Sequence, residues 1–249
     1  MIVYPNAKIN LGLNVIKKRV DGYHEIASVF YPVDTLFDIL EVIPSDVFLF
    51  SSSGLSINAD RNICVKAYDL LRDDFSIDPV KIHLHKQIPI GAGLGGGSAD
   101  GTYTLIILNK LFDLGLSIEQ LHNYALKLGA DCPFFIENTP KYVRGIGDKM
   151  IPVDIDLSKF KLKFNIPKFQ ISTTEAYTEI SPKLSSIDLF HFISKPISQW
   201  KDNVINDFEL NAFLKYPELR IIKENFYKDG AIYSSMTGSG SVMYGIFNK

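Results

Sequence analysis

Hydrophobic and polar residues alternate along several short segments of the chain, and a period of two predicts β-strands. In the segment VYPNAKINLGLNVIKK, the apolar residues Ile9, Leu11, Leu13 and Val15 occupy every second position. The segment IASVFYPVDTLFDILEVIP is rich in β-branched and aromatic residues, and KIHLHKQIPI alternates again. Turn residues separate these runs, as in KKRVDGYHE, so the sequence predicts several distinct strands.

Apolar residues spaced three or four apart predict helices between the strands. Residues 99–112 show this spacing, and Ser98 and Asp100 stand near the expected N-cap of that helix. A second helix is predicted in SIEQLHNYALKLG, with Ser117 as its N-cap. Beyond residues 145–155 a new set of strands and helices begins, which indicates a domain boundary there.

The chain has 249 residues, of which 46% are hydrophobic and 22% charged, so it can bury a large core in one or two domains. Its net charge of −2 offers no general attraction to nucleic acid. No apolar run reaches the roughly 18 residues of a membrane span, and the N-terminal pattern is not that of a signal peptide. We therefore expect a cytoplasmic protein that binds neither nucleic acid nor membranes.

The two cysteines, Cys64 and Cys132, lie far apart in the sequence and lack the spacing of metal ligands. We expect both to be reduced, buried thiols, as is usual in cytoplasmic proteins. The sequence predicts no dedicated metal site.

The segment PIGAGLGGGSAD, residues 89–100, follows a predicted strand and precedes a predicted helix. Its glycines let consecutive backbone N–H groups converge on one anion, while the helix adds the positive end of its dipole. The segment is not a Walker loop, because Ser98 and Ala99 stand where that loop requires Lys followed by Ser or Thr. It is not a Rossmann fingerprint either, because no acidic residue follows a second strand. The sequence therefore predicts a phosphate-binding loop of another class.

Two charged residues outside this loop are candidates for phosphoryl transfer, which needs a cation for the migrating group and a carboxylate for the attacking hydroxyl. Lys8 lies in the first predicted strand, and Asp131 follows the helix that is predicted to end at Gly129. On the local pattern alone, Lys8 is expected to be a solvated edge residue and Asp131 a turn former or helix cap. The local pattern therefore does not assign them to catalysis.

Six motifs occur in order over nearly the whole chain: AKINLGL, DGYHEIASVF, PIGAGLGGGSAD, GADCPFF, ISTTEAY and MTGSGS. Taken together, they resemble the GHMP kinase superfamily, whose members phosphorylate small alcohols such as galactose, homoserine and mevalonate. DGYHE is the most discriminating motif, because it is typical of the family that phosphorylates 4-diphosphocytidyl-2-C-methyl-D-erythritol. The resemblance implies a two-domain α+β fold with a ribosomal-S5-domain-2-like domain in residues 1–150 and a ferredoxin-like domain in residues 151–249. It also implies that the substrate binds in an inter-domain cleft.

The resemblance further implies an ATP-dependent kinase of the non-mevalonate isoprenoid pathway, with Mg²⁺ accompanying ATP. Asp131 would accept the proton of the substrate's 2-hydroxyl or hold that hydroxyl in line, and Lys8 would pair with Asp131 beside the migrating phosphoryl group. Ser98 would contact phosphate or Mg²⁺. The residues implied to wrap the ATP phosphates are Pro89, Ile90, Gly91, Ala92, Gly93, Leu94, Gly95, Gly96, Gly97, Ser98 and Ala99.

Residues outside the loop would bind the cytidine and methylerythritol parts of the substrate. By resemblance, Tyr23 would stack on the cytosine and His24 would read its edge. Thr173 and Tyr177 would close the other side of the base. Asn10 would form hydrogen bonds near the methylerythritol hydroxyls.

For the adenine of ATP, the sequence offers Asn58, Asn62 and Lys66 as candidates. Lys86 would either touch the nucleotide or be solvated. These four residues carry no motif of their own.

Two positions depart from the pattern of the family. Ala99 stands where a second Ser often follows Ser98, so one hydroxyl is lost. Thr237 replaces a more usual Ser in the last motif. Backbone amides dominate such a phosphate cradle, so we expect activity to survive the loss of the hydroxyl at position 99. Around Thr237, the turn-forming glycines Gly238 and Gly240 remain.

Two alternatives stay open at this point. One is another enzyme of the superfamily, of the homoserine kinase, mevalonate kinase or diphosphomevalonate decarboxylase type. The other is a nucleotide-binding relative that has lost catalysis. In each case we expect a small molecule as the partner and a monomer or weak homodimer.

Overall fold

The computed structural model describes residues 1–58, 62–182 and 188–249. The chain forms two compact units. Unit 1 consists of residues 1–8, 32–90 and 95–139, and unit 2 consists of residues 9–31, 91–94 and 140–249. The units are interleaved along the chain, so a contiguous boundary between residues 150 and 151 stays a prediction.

Strands and helices are numbered here in chain order. The strands are β1 (Ile2–Val3), β2 (Asn6–Lys18), β3 (His24–Phe37), β4 (Ile39–Pro44), β5 (Leu49–Gly54), β6 (Val80–Lys86), β7 (Lys141–Gly145), β8 (Lys149–Pro152), β9 (Phe160–Asn165), β10 (Tyr233–Met236) and β11 (Met243–Asn248). The helices are α1 (Ile63–Phe75), α2 (Gly96–Leu111), α3 (Ile118–Leu128), α4 (Phe134–Glu137), α5 (Thr173–Glu179), α6 (Leu189–Ile193), α7 (Glu209–Lys215) and α8 (Pro217–Lys228), with a 3-10 turn at Ile197–Gln199.

Unit 1 contains a four-stranded sheet in the order β1-β4-β6-β5. Strand β4 runs antiparallel to β1 and β6, whereas β5 and β6 are parallel. Parallel neighbours need a crossover connection, and α1 supplies it between β5 and β6. Leu105 and Leu108 of α2 share one hydrophobic core with Ile82 and Leu84 of β6. The buried helix and the sheet therefore hold both ends of the glycine segment that joins them.

Side chains cap the exposed N–H groups at the starts of two helices in unit 1. Ser117 caps α3 in a capping box with Gln120, as the sequence predicted. Asn62 caps α1, because its side-chain oxygen accepts a hydrogen bond from the N–H of Cys64 at 2.8 Å. Lys66 is exposed on α1. Adenine binding by Asn58, Asn62 and Lys66 stays a prediction.

Unit 2 contains the antiparallel sheet β10-β11-β9 and most of the sheet β2-β3-β7-β8. Its hydrophobic core is formed by apolar side chains of these strands, of helices α5, α7 and α8, and of residues next to these helices. The buried members are Leu13, Val15, Ile26, Ile171, Ala176, Phe208, Ala212, Leu219, Met236 and Met243. This core holds the start of α5 and the turn between β10 and β11 within the same unit.

Both cysteines are buried and free, as the sequence predicted. Burial raises the pKa of Cys132 to about 11 and raises the pKa of Cys64 as well. Among the residues described, every helix is too short or too polar to cross a bilayer.

Candidate active site

The glycine segment connects the end of β6 to the start of α2, as the sequence predicted. The first hydrogen bond inside α2 runs from the N–H of Ala99 to the carbonyl oxygen of Gly95, at 2.9 Å. The N–H groups of Gly96, Gly97 and Ser98 precede it and have no acceptor within the helix. Three donors at the positive end of a helix dipole form a site suited to an anion.

The helix begins at Gly96, so Ser98 and Asp100 lie inside it and the predicted start at residue 99 is wrong. Short polar side chains usually mark a helix start, and that rule selected the wrong position here. The N-cap is Gly95, whose φ of 70° is one that residues with side chains rarely adopt, and no side chain caps the helix. A helix without a capping side chain leaves its first N–H groups available to water or to an anion.

Three glycines of the segment are explained by different surroundings. A Cβ on Gly93 would lie 2.1 Å from the carbonyl oxygen of Thr237. A Cβ on Gly95 would lie 2.8 Å from Cγ of Lys8. A Cβ on Gly97 would meet nothing within 4 Å. Close packing therefore requires Gly93 and Gly95, whereas Gly97 leaves open space at the start of α2.

Lys8 and Asp131 form an ion pair within unit 1, with 3.3 Å between Nζ and Oδ2. Both faces of β2 are buried around Lys8, and its side chain is only 4% exposed. The local-pattern prediction of a solvated edge residue is therefore wrong. Asp131 keeps 35% of its side chain exposed, so a substrate can reach the carboxylate. Since Lys8 packs against Gly95, the ion pair lies beside the start of α2.

A neutral hydrogen-bond network joins the same two chain segments that carry this ion pair. Asn138 Nδ2 donates to Asn6 Oδ1 at 2.7 Å, and the hydroxyl of Tyr103 donates to the same oxygen at 3.1 Å. Asn6 precedes Lys8 by two positions on β2, so their side chains project from the same face. Asn138 follows α4, the short helix after Asp131. No motif of the sequence marks this network, although the period of two from Lys8 selects Asn6.

In unit 2, Thr237 supports the first half of the glycine segment. Its hydroxyl donates to the carbonyl oxygen of Gly93 at 2.9 Å and accepts from the N–H of Asn10 at 3.1 Å. The buried side chain of Asn10 donates to Ser28 Oγ at 2.8 Å. Because Thr keeps the hydroxyl of the usual Ser, the replacement at position 237 preserves this link. Contact between Asn10 and a substrate stays a prediction.

His24 and Tyr177 lie together in unit 2, with stacked rings whose centroids are 4.9 Å apart at an angle of 26°. The ring of Tyr177 also meets Phe208 edge to face at 4.9 Å. Burial, assisted by the positive charge of Lys18, holds the pKa of His24 below its ordinary value. The imidazole is therefore neutral near pH 7 and can both donate and accept a hydrogen bond. Tyr23 is 61% exposed.

Thr173 and Tyr177 lie four positions apart on α5, so they share a face of that helix. The hydroxyl of Thr173 is 3.3 Å from Ser239 Oγ, in the turn between β10 and β11. All five residues proposed for the substrate thus lie in described parts of unit 2: Tyr23 and Thr173 are exposed, His24 and Tyr177 are half-buried, and Asn10 is buried.

Of the two alternatives predicted for Lys86, the solvated side chain is wrong, because Lys86 is buried; contact with the nucleotide stays a prediction. Its ammonium group donates to carboxylate oxygens of both Asp38 and Asp100. Along β6 every second residue is buried, including Ile82, Leu84 and Lys86. The same period of two, extended from Leu84, predicts that Lys86 is buried. A buried ammonium group needs carboxylates buried beside it.

Two family models match the chain. The model of the GHMP kinases N terminal domain covers residues 62–138, and that of the GHMP kinases C terminal covers residues 195–249. The glycine segment and Asp131 both lie within the first match. The fold and the site therefore define the chain as a GHMP kinase, and the predicted two-domain fold of that superfamily is confirmed.

Similar proteins narrow this class to one family. A protein of Azobacteroides pseudotrichonymphae named 4-diphosphocytidyl-2-C-methyl-D-erythritol kinase is 48% identical, over 100% of this chain and 94% of its own length. A crystal structure of 4-(cytidine 5'-diphospho)-2C-methyl-D-erythritol kinase matches with a TM-score of 0.86 and 30% identity, over 99% of this chain and 90% of that one. The chain belongs to the 4-diphosphocytidyl-2-C-methyl-D-erythritol kinase family.

A homoserine kinase of Cytophaga hutchinsonii shows how widely the fold is shared. Its crystal structure matches 98% of this chain and 85% of its own length with a TM-score of 0.73, at only 17% identity. Such a likeness shows the fold alone. The family assignment therefore depends on the much higher identity of the methylerythritol kinases.

Proposed function

We propose that the protein transfers a phosphoryl group from ATP to the 2-hydroxyl of 4-diphosphocytidyl-2-C-methyl-D-erythritol, in the non-mevalonate pathway to isoprenoid precursors. Identity of 48% over the whole chain supports the choice of substrate. One structural observation carries the chemistry: the buried ammonium of Lys8 pairs with the accessible carboxylate of Asp131 beside the start of α2.

The phosphates of ATP bind along residues 89–99 in this proposal. The N–H groups of Gly96, Gly97 and Ser98 point out of the first turn of α2 and are the expected donors. The open space at Gly97 gives the phosphates room to approach the backbone. Gly93 and Gly95 shape the segment, because no side chain fits at either position.

Mg²⁺ accompanies ATP in the same proposal. This ion prefers oxygen ligands and commonly takes only one or two from the protein, the rest coming from phosphates and water. The hydroxyl of Ser98, which lies against the neighbouring Cys132, is an oxygen group that fits that habit. When bound, the ion would neutralise charge on the phosphates.

Asp131 orients the attacking 2-hydroxyl and accepts its proton. Lys8 holds that carboxylate in place and presents a positive charge to the migrating phosphoryl group. Transfer is direct, with the hydroxyl oxygen forming a bond to phosphorus as the bond to the leaving ADP breaks. The protein contributes positioning and charge stabilisation, and no covalent phosphoenzyme is needed.

The cytosine binds beside the stacked pair of His24 and Tyr177. The neutral imidazole of His24 offers a donor and an acceptor to the edge of the base. The exposed ring of Tyr23 is available for stacking, and Thr173 adds a hydroxyl from α5. Asn10, whose side-chain amide donates one hydrogen bond to Ser28, forms hydrogen bonds near the methylerythritol hydroxyls in this proposal.

An assay of ADP release tests the function directly. The protein is incubated with ATP, Mg²⁺ and one acceptor at a time: the cytidylated methylerythritol, homoserine, galactose or mevalonate. We expect turnover with the cytidylated acceptor to exceed turnover with the others by orders of magnitude. Comparable turnover with homoserine or mevalonate, or none with any acceptor, would contradict the proposal.

Two substitutions test the assigned roles. Asp131→Asn should lower kcat by about 10²- to 10⁴-fold, the usual loss of acid-base assistance, with little change in KM for ATP. Lys8→Ala should also lower kcat more than it raises KM for ATP. Asp154→Asn, at an exposed carboxylate of unit 2, is the matched control and should behave as wild type. Near-normal turnover of Asp131→Asn would remove Asp131 from the reaction.

We also propose a cytoplasmic protein that acts on small molecules as a monomer or weak homodimer, without nucleic acid or membrane partners. The small net charge of −2 supports the lack of attraction to nucleic acid. Light scattering after gel filtration would test the oligomeric state, and a stable tetramer would contradict it.

A further inference from the structure

Three charged side chains are buried together next to the glycine segment in unit 1. Asp38, Lys86 and Asp100 are exposed by only 0%, 3% and 2%. Lys86 Nζ donates to Asp100 Oδ2 at 2.7 Å and also to Asp38 Oδ2. Removing charges from water is costly unless they are paired, so such a cluster must hold its geometry closely.

The cluster is attached to both ends of the glycine segment. Lys86 is the last residue of β6, and Asp100 lies near the start of α2, so their ion pair joins the two ends directly. The second oxygen of Asp38, Oδ1, accepts hydrogen bonds from the N–H groups of Gln87 at 2.6 Å and Ile88 at 2.8 Å. Asp38 therefore fixes the first two residues that leave β6.

The cluster also touches the residue that begins α2. A Cβ on Gly96 would lie 3.0 Å from Lys86 Nζ and 2.6 Å from Cγ2 of Ile88. A displacement of Lys86 or Ile88 would therefore move Gly96. The N–H group of Gly96 is one of the donors that the proposed function assigns to ATP.

We propose that Asp38, Lys86 and Asp100 form a charged clasp that positions the glycine segment for the phosphates of ATP, without touching ATP themselves. The inference depends on the proposed binding of ATP by residues 89–99. A segment whose ends are fixed in advance loses less conformational freedom when the nucleotide binds, so affinity rises. The three residues are thus positioning residues.

The charges in the clasp are unequal, because two carboxylates face one ammonium. Burial alone would lower the pKa of Lys86, but Asp100 and Asp38 outweigh burial and raise it, so Lys86 stays charged. Burial raises the pKa of Asp100 although Lys86 opposes this, and Asp100 Oδ1 has no hydrogen-bond partner in the part of the chain described. Of the two carboxylates, Asp100 is therefore the one whose charge can be removed with fewer hydrogen bonds lost, because Asp38 accepts three.

Asp100→Asn is the test variant, measured by KM for ATP, KM for the cytidylated acceptor, and Tm. We expect KM for ATP to rise by about tenfold or more, as when a charged hydrogen bond is lost, with KM for the acceptor nearly unchanged. Asp100→Glu restores the charge and should recover most of the ATP affinity, although its extra methylene should lower Tm. If Asp100→Glu binds ATP more tightly than Asp100→Asn although its Tm is lower, the effect on ATP binding does not come from a loss of stability.

Glu209→Gln is the matched control. Glu209 is a buried carboxylate of unit 2 that accepts a hydrogen bond from Lys223 at 2.5 Å and one from Ser235. Its neutralisation should lower Tm while leaving KM for ATP unchanged. If Asp100→Asn likewise lowers Tm and leaves KM for ATP unchanged, the clasp is refuted and the kinase function stands. If the wild-type protein does not release ADP, the proposed function itself is refuted.

Hydrogen exchange of the wild-type protein gives a second test, which does not depend on whether Asp100→Asn folds. Without ATP, the N–H groups of Gln87 and Ile88 should already be protected, because Asp38 holds them. Adding a non-hydrolysable ATP analogue should slow exchange mainly in residues 91–98. Rapid exchange at Gln87 and Ile88 before the analogue is added would refute the clasp.

Discussion

Gly97→Ala tests the phosphate cradle while leaving the fold in place. Gly97 lies in the first turn of α2, is not one of the glycines with positive φ, and has open space where a Cβ would project. Alanine is the better helix former, so the methyl group should stabilise the folded protein. The same methyl would occupy space that the phosphates of ATP need beside Gly96 and Ser98.

The methyl group should stabilise the fold but weaken the binding of ATP, and the magnitude of each effect can be estimated. Helix propensity favours Ala over Gly by about 1 kcal/mol inside a helix and by less near its end. For a chain of 249 residues this corresponds to an increase in Tm of about 1–3 °C. Losing one hydrogen bond to a charged phosphate costs about 1.5–3 kcal/mol, and that loss raises KM for ATP roughly 10- to 100-fold.

The measurement is KM for ATP in the ADP-release assay together with Tm by circular dichroism. Asn123→Ala is the control, because Asn123 is exposed inside α3 and gains helix propensity outside the glycine segment. Gly95→Ala is the contrast, because its φ of 70° and the 2.8 Å approach to Lys8 Cγ should lower Tm as well as activity. A Gly97→Ala variant with raised Tm and unchanged KM for ATP would refute the cradle.

Three further predictions concern unit 2 and the thiols. Thr237→Val, which removes the hydroxyl that bonds Gly93 and Asn10, should lower the free energy of unfolding by about 1–3 kcal/mol, and Thr237→Ser should lose much less; equal losses in urea unfolding would contradict this. Because burial lowers the pKa of His24, the imidazole stays neutral to a more acidic pH than an ordinary histidine does. KM for the cytidylated acceptor should therefore rise only under acidic conditions, and His24→Gln should remove that rise. Cys64 and Cys132, whose pKa values burial raises, should resist a thiol-specific disulfide reagent until denaturant is added; fast labelling of the native protein would show that they are accessible.

Local order in the sequence was enough to predict the connection of a strand, the glycine segment and a helix. The alternation of β6 followed by glycines and a helical pattern predicted a phosphate site between strand and helix, and the structure has that connection. The capping box at Ser117 was also readable, because Ser117 and Gln120 are only three positions apart. These features depend on neighbours along the chain, and spacing records such neighbours directly.

Contacts between segments that are distant in the sequence could not be predicted from spacing along the chain. Lys8 in an alternating strand has the pattern of a solvated residue, and only the packing of both faces of β2 buries it against Asp131. Lys86 falls on the buried face of β6, but Asp38 and Asp100, which make that burial tolerable, come from other elements.

The sequence by itself determined the order of strand, glycine segment and helix, and its motifs determined the family. The tertiary structure alone decided that Lys8 is buried, that Gly95 and not a polar side chain begins α2, and that Thr237 bonds a residue 144 positions away. The reason is physical: periodicity reports which face of an element is apolar, whereas the partner of a buried charge or hydroxyl depends on how separate elements pack.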